Sequence, residues 1–221
     1  MTATLRVYQY LAPAVLAPLS FYLWWTEYRN LSQVLVAWLI PVLWSYIVPG
    51  RGTNMFKVWE FNVRWKLGRF RPHHGFVFGS TTATIAWLIH GQPAETLADI
   101  ARFSLILASV LGFWNVLYEI KALRGGILKV YNQPWADGRG EEAIALDYAP
   151  WIFGGFGAAH GLSIAGMEYL VGHFGPLGAV QAAIYLLLGL ALCISFPVLG
   201  FMRHSLQVHG HPGTRPVSKE G

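Results

Sequence analysis

The stretch GAVQAAIYLLLGLALCISFPVLGFM, residues 178–202, contains no Asp, Glu, Lys or Arg. At 1.5 Å per residue, about 20 such residues cross the roughly 30 Å of hydrocarbon in a bilayer. Five other stretches are comparably long and apolar: Leu11–Trp25, Leu31–Pro49, Gly75–Gly91, Ala101–Ile120 and Pro150–Val171. The fold class expected is all-α, a polytopic membrane bundle of about six transmembrane helices. Residues 1–203 would form the transmembrane domain. Residues 204–221 would form a cytoplasmic tail, partly disordered because Pro212, Gly213 and Pro216 oppose helix.

Composition agrees with this reading. The chain has 221 residues, and 12% are charged, against about 25% in a soluble domain. Six spans leave no room for a separate soluble domain. The first span is expected to stay uncleaved, because its flank, Met1–Tyr10, carries one basic residue and nothing after Trp25 resembles a cleavage site. The lone Cys193 excludes an intramolecular disulfide and any multi-cysteine metal or iron–sulfur site.

The net charge of +5 follows topology. Of the 16 Lys and Arg, only Arg29, between spans one and two, and Arg102, at the start of span four, are left for the other side. The others lie before span one, between spans two and three, between four and five, or after span six. Excess Lys and Arg mark the cytoplasmic side, so both termini and both long loops, Gly50–His74 and Lys121–Ala149, are expected there. The membrane expected is the cell (inner) membrane. Attraction to anionic lipid heads accounts for the basic charge, and no nucleic-acid partner is expected.

In the first long loop, apolar Phe56, Trp59, Val63 and Leu67 recur at i, i+3, i+7 and i+11, with Lys57, Arg64 and Lys66 between them. This spacing predicts an amphipathic interfacial helix. The second loop holds turn residues, Gly125-Gly126 and Asn132 to Gly140, and then Glu141–Tyr148, a short helix entering span five. Pro13, Pro18, Pro41 and Pro197 fall inside spans, where neighbouring helices can satisfy the backbone groups that proline frees.

Span five has Gly157, Gly161 and Ala165 at intervals of four, a seam where another helix can approach closely. His160 lies ten residues, about 15 Å, into that span, so an ionisable ring is expected near mid-bilayer. Span four carries Ser104, Ala108, Gly112, Asn115 and Glu119 on one face. That face is expected to look into the bundle, although Glu119 alone also fits pairing with Lys121 or Arg124. Span three adds Ser80 and Thr84, with Thr81 beside them; such hydroxyls often bond back to their own helix. Together Ser80, Thr84, Asn115, Glu119 and His160 are expected to line one cytoplasm-facing polar pocket.

The catalytic candidates are therefore His160, Glu119, Asn115 and Asp147, which are suited to moving protons. Ser80, Thr84, Trp114 and Trp151 are the substrate-binding candidates, the aromatic faces being able to stabilise cationic intermediates. Interfacial belts alone also account for most tryptophans. The expected partners are membrane lipids and a hydrophobic small-molecule substrate, with a homo-oligomer or larger membrane complex left open. Histidines at the cytoplasmic edge offer a competing metal reading: His73, His74, His204 and His209, with His211 and nearby carboxylates. His204 and His209 are spaced His-x4-His, but no His-x2-His-His box accompanies them, so no metal site is firm. A divalent metal is the alternative to having no cofactor, and His90 and His160 lie at different depths for a haem.

There is no Walker A sequence, Asp-rich prenyltransferase motif, serine nucleophile elbow or mid-membrane lysine for a retinal Schiff base. The function expected is an integral membrane enzyme acting on a lipid- or isoprenoid-like substrate by acid–base isomerisation, hydration or cyclisation. The alternatives are a non-catalytic subunit binding a pigment, haem or partner complex, or a small transporter, which the lack of an inverted repeat disfavours.

Overall fold

In the computed structural model, which describes residues 2–213, the chain is mostly helical. It opens with α1 (Thr2–Leu11), a π-helical turn (Ala12–Leu16) and α2 (Ala17–Tyr28). Pro13 and Pro18 sit in the first two positions of the π turn and of α2, where a missing N–H costs least. Asn30 then caps α3 (Leu31–Asn54), its side-chain oxygen accepting from the N–H groups of Ser32 and Gln33. After β1 (Trp59–Phe61) come α4 (His74–His90) and α5 (Leu97–Arg124). A reciprocal Thr96–Asp99 capping box starts α5. Next are β2 (Leu128–Val130), α6 (Gln133–Ala136) and α7 (Glu141–Ala149). A second π turn (Pro150–Gly154) leads into α8 (Gly155–Phe174), and α9 (Ala179–His209) completes the chain.

Three helices, α3, α5 and α9, are long and apolar enough to cross a membrane. The other three apolar stretches are helical too, in α2 and α8 with the π turns that precede them, and in α4. In the most apolar windows of α5 and α9, 28% and 22% of the residues are buried. Their outward faces present Leu105, Phe113, Leu187, Leu188, Phe196 and Leu199. Continuous apolar surface of this kind calls for lipid or a partner rather than water.

α3 and α8 form the interior: α3 packs against α2, α4, α8 and α9, and α8 packs against α5 and α9. The α5–α8 contact is close because small residues meet. A Cβ added at Gly157 would stand 2.7 Å from the Leu107 carbonyl oxygen, and one at Gly161 would stand 2.7 Å from Ser104 Cα. Buried indoles bind other helices together, with Trp24 Nε1 donating to the Ala83 carbonyl (3.0 Å) and Trp44 Nε1 to that of Cys193 (2.8 Å).

The amphipathic helix expected in the first long loop is replaced by a strand. β1 pairs antiparallel with β2 in the register Trp59↔Val130, Glu60↔Lys129 and Phe61↔Leu128. Residues Trp59-Glu-Phe-Asn-Val-Arg64 also alternate apolar and polar, and this period of two prevails over the sparser helical spacing. Lys57 at φ 59° and Gly68 at φ 62° break any continuous helix there. The short helix expected at Glu141–Tyr148 is present as α7. At the other end, α9 runs past the expected boundary near Arg203 to His209, where Gly210 caps it at φ 76°. Arg215, Pro216 and Lys219 lie outside the described residues.

Candidate functional site

α4 and α5 meet only sparsely although both belong to the bundle, and the gap between them is a cavity. Trp44 on α3 and Phe153 in the second π turn wall it internally, and Trp59, Phe61 and Leu128 of the strand pair cover one end. At that end the polar groups gather: Arg71 and His74 at the start of α4, Asn115 and Glu119 on α5, and Tyr148 on α7. The opposite end, towards Val77, Ile85 and Leu111, is mostly apolar, with Thr81 and Thr82 on its α4 wall. The exposed Trp114 stands at the rim.

The polar end is held in place on every side. Glu119, 6% exposed, accepts a hydrogen bond from the hydroxyl of the fully buried Tyr148. Asn115 is tied to its own helix, Nδ2 donating to the Leu111 carbonyl at 2.8 Å. Arg71 is 2% exposed; Nη1 donates to Gln9 Oε1 at 3.2 Å and Nη2 to His74 Nδ1 at 2.8 Å. A guanidinium has no acceptor atoms, so His74 receives at Nδ1 and its proton resides on Nε2. Tyr8 on α1 bridges the gap, its hydroxyl 2.5 Å from Thr81 Oγ1 on α4 and its ring 6.2 Å from that of Tyr118 on α5.

Of the residues singled out from sequence, Asn115, Glu119 and Trp114 meet in this cavity, and His74, singled out for metal, joins them. His160 does not line it. Its ring is fully buried, stacked on Phe156 at 5.5 Å and set against the Ala37 backbone of α3, with no side-chain hydrogen-bond partner. Ser80 is used in packing, bonding the Phe76 carbonyl and reaching the Ala12 carbonyl at the first π turn (3.5 Å). Thr84 bonds back to the Ser80 carbonyl at 2.8 Å.

Asp147 and Trp151 belong to a second cluster, at the end of α9. Asp147 Oδ1 lies 2.6 Å from His209 Nε2 and 3.8 Å from His204 Nε2, and Oδ2 accepts from Asn132 Nδ2 at 2.9 Å. Trp151 stacks on His204 at 5.4 Å. His73 is elsewhere again, between the rings of Tyr10 (5.2 Å) and Trp65 (5.4 Å). Burial, aided by the Arg71 charge, pushes its imidazole down to about 4. Among the described residues no group of three or more His, Cys, Asp or Glu side chains is arranged to hold a metal ion.

Sequence reasoning missed Arg71 and Tyr148 as site residues. Arg71 looks like one more positive charge in a basic loop. The signal available was its position, directly before Pro72-His73-His74, where a helix start turns the chain back into the bundle. Tyr148 had no periodic signal; its role depends on α7 packing against α5. Neither a protein-family model nor a curated protein nor a solved structure matches the chain.

Proposed function

We propose that the chain is an integral membrane enzyme acting by acid–base chemistry on a lipid- or isoprenoid-like substrate in the cavity between α4 and α5. In this reading six helices cross the bilayer and both termini lie in the cytoplasm. The apolar outer faces of α5 and α9 support the membrane assignment, and the one-sided placement of Lys and Arg supports the orientation.

The observation that carries the catalytic reading is Glu119. It is a buried carboxyl group, oriented by the Tyr148 hydroxyl, facing a cavity with one polar end and one apolar end. A carboxyl group held this way can take a proton from one carbon and return it to another. Such a transfer is an isomerisation; if the carboxyl group instead gives its proton to one alkene carbon while a bound water adds to the other and returns a proton to the carboxylate, the outcome is a hydration. His74 Nε2–H is a second donor at the same end.

The test is lipid analysis by chromatography and mass spectrometry of cells making the wild-type chain or Glu119→Gln, with cells lacking the chain as reference. A lipid species present with the wild type and absent from both others supports the reading. Identical lipid profiles in all three, with both proteins assembled in the membrane, would refute it. Reporter fusions at the two termini test the orientation, since a signal from the non-cytoplasmic side at either end contradicts it.

A further inference from the structure

We infer that the cavity binds the oxyanion head of an amphiphile, a carboxylate or phosphate, through Arg71, while the chain of that molecule stays in the bilayer. The inference deepens the enzyme reading above by naming the substrate class of the same site. It begins with an imbalance of charge. Arg71 is 2% exposed, yet among the described residues no carboxylate lies within 4.0 Å of it. Its neighbours are neutral: Gln9, His74 receiving at Nδ1, and the Tyr118 hydroxyl beside the guanidinium. Phe61 lies under it, with Cζ 5.0 Å from the ring centroid. The Nε–H is buried with no partner at all.

A buried cation is costly unless an anion and further hydrogen bonds compensate it. Glu119 lines the same cavity but is engaged with Tyr148 and makes no ion pair with Arg71. The two groups thus line one space without an ion pair between them. A planar guanidinium with a free donor is suited to oxygen pairs such as those of carboxylate and phosphate. A bound head would complete the hydrogen bonding of Arg71 and lie beside the Glu119 carboxyl.

Size decides where the rest of the molecule goes. The free space is about 60 Å³, enough for roughly four water-sized groups. That accommodates a compact head and excludes a long chain. The chain would leave through the sparse α4–α5 contact, past the exposed Trp114, directly into lipid.

The test uses three probes of one chain length, dodecanoate, dodecyl phosphate and dodecanol, titrated onto the full chain in nanodiscs, with inorganic phosphate alone as a fourth arm. Binding is followed by native mass spectrometry and by the shift in thermal unfolding. Both anionic amphiphiles should bind roughly tenfold or more tightly than the alcohol, the range of one hydrogen-bonded charge contact. Arg71→Gln should abolish that preference and Arg71→Lys should retain part of it. If Arg71→Gln does not assemble, the preference of the wild type and its reduction in Arg71→Lys decide the matter. Equal affinity for dodecanol and dodecanoate would overturn the inference, as would inorganic phosphate binding as well as the amphiphiles. Anion preference without any lipid turnover would sink the enzyme reading alone. Turnover of neutral lipids without anion preference would sink this inference alone.

Discussion

The Tyr148 hydroxyl on α7 donates to the Glu119 carboxyl group on α5, joining a short helix that precedes a π turn to one of the long apolar helices of the bundle. Tyr148 also lies 6.0 Å, ring to ring, from Trp59 of β1, so one side chain touches both the acidic group and the strand that covers it. Tyr148→Phe keeps the packing and removes the donor. A hydrogen bond to a charged group contributes about 1.5–3 kcal/mol, so the loss should appear in thermal unfolding. It should also lower product formation roughly tenfold or more, through misorientation of Glu119. A variant matching wild type in both measurements would show that the hydroxyl is incidental.

A second buried carboxylate has a structural task. Glu168 on α8 accepts from Tyr28, from His90 Nε2 at 2.5 Å and from the Ala94 N–H at 3.0 Å. Those partners come from the end of α2, the end of α4 and the loop before α5, so one carboxylate gathers three elements at the end of the molecule far from Arg71. Removing one member of a buried, hydrogen-bonded pair typically costs about 3–5 kcal/mol. Glu168→Ala should destabilise by that order. The Glu168→Ala/His90→Ala double variant should cost less than the sum of the singles, because the partners depend on each other. Additive losses in chemical unfolding would mean that the contact carries no coupling.

How far the sequence reveals this molecule depends on the range of the interactions concerned. Helix positions follow from runs of apolar residues and from local caps such as Asn30 and the Thr96–Asp99 box, so they are legible. The small-residue face of α5 is legible as well, and its two halves separate in space. Ser104 and Ala108 pack on the α8 glycines, whereas Asn115 and Glu119 look into the cavity. His160 misleads because depth in a span is visible in sequence but rotation about the helix axis is not. Its ring turns towards Phe156 and α3, away from the gap beside α4. The strand at Trp59 satisfies two periods at once, and its partner lies across two helices in sequence. Local pattern alone cannot choose between them. The Arg71–Gln9 and Tyr148–Glu119 contacts form between elements brought together only by folding.

The α5–α8 seam allows a controlled comparison within one helix. An added Cβ at Gly157 meets backbone atoms, the Leu107 carbonyl oxygen at 2.7 Å and Ala108 Cα at 2.9 Å, whereas at Gly172 it meets nothing within 4 Å. Backbone cannot swing aside as a side chain can, so Gly157→Ala should cost about 1–3 kcal/mol through overpacking. Gly172→Ala should be neutral or mildly stabilising, because alanine is the better helix former by roughly 0.5–1 kcal/mol. Thermal unfolding of the two variants in the same detergent measures the contrast. Equal midpoints would show that the helices are not in close contact at Gly157.

Glu60 supplies a pH dependence outside the spans. The Tyr131 hydroxyl donates to its Oε2 at 2.9 Å and Lys66 Nζ to its Oε1 at 3.3 Å. These contacts, the Tyr131 hydrogen bond foremost, hold its carboxyl below the ordinary 4.5. Because the folded value lies below the unfolded one, the stabilisation is complete above about 4.5 and is lost as pH falls through the folded value. The site is accessible to solvent, so screening limits the effect to less than about 1 kcal/mol. Amide exchange in the β1–β2 pair, corrected for intrinsic rates, should quicken as pH drops from about 6 to about 3. In Glu60→Gln it should stay level over that interval. If wild type and variant respond alike to acid, the Glu60 contacts do not stabilise the strand pair.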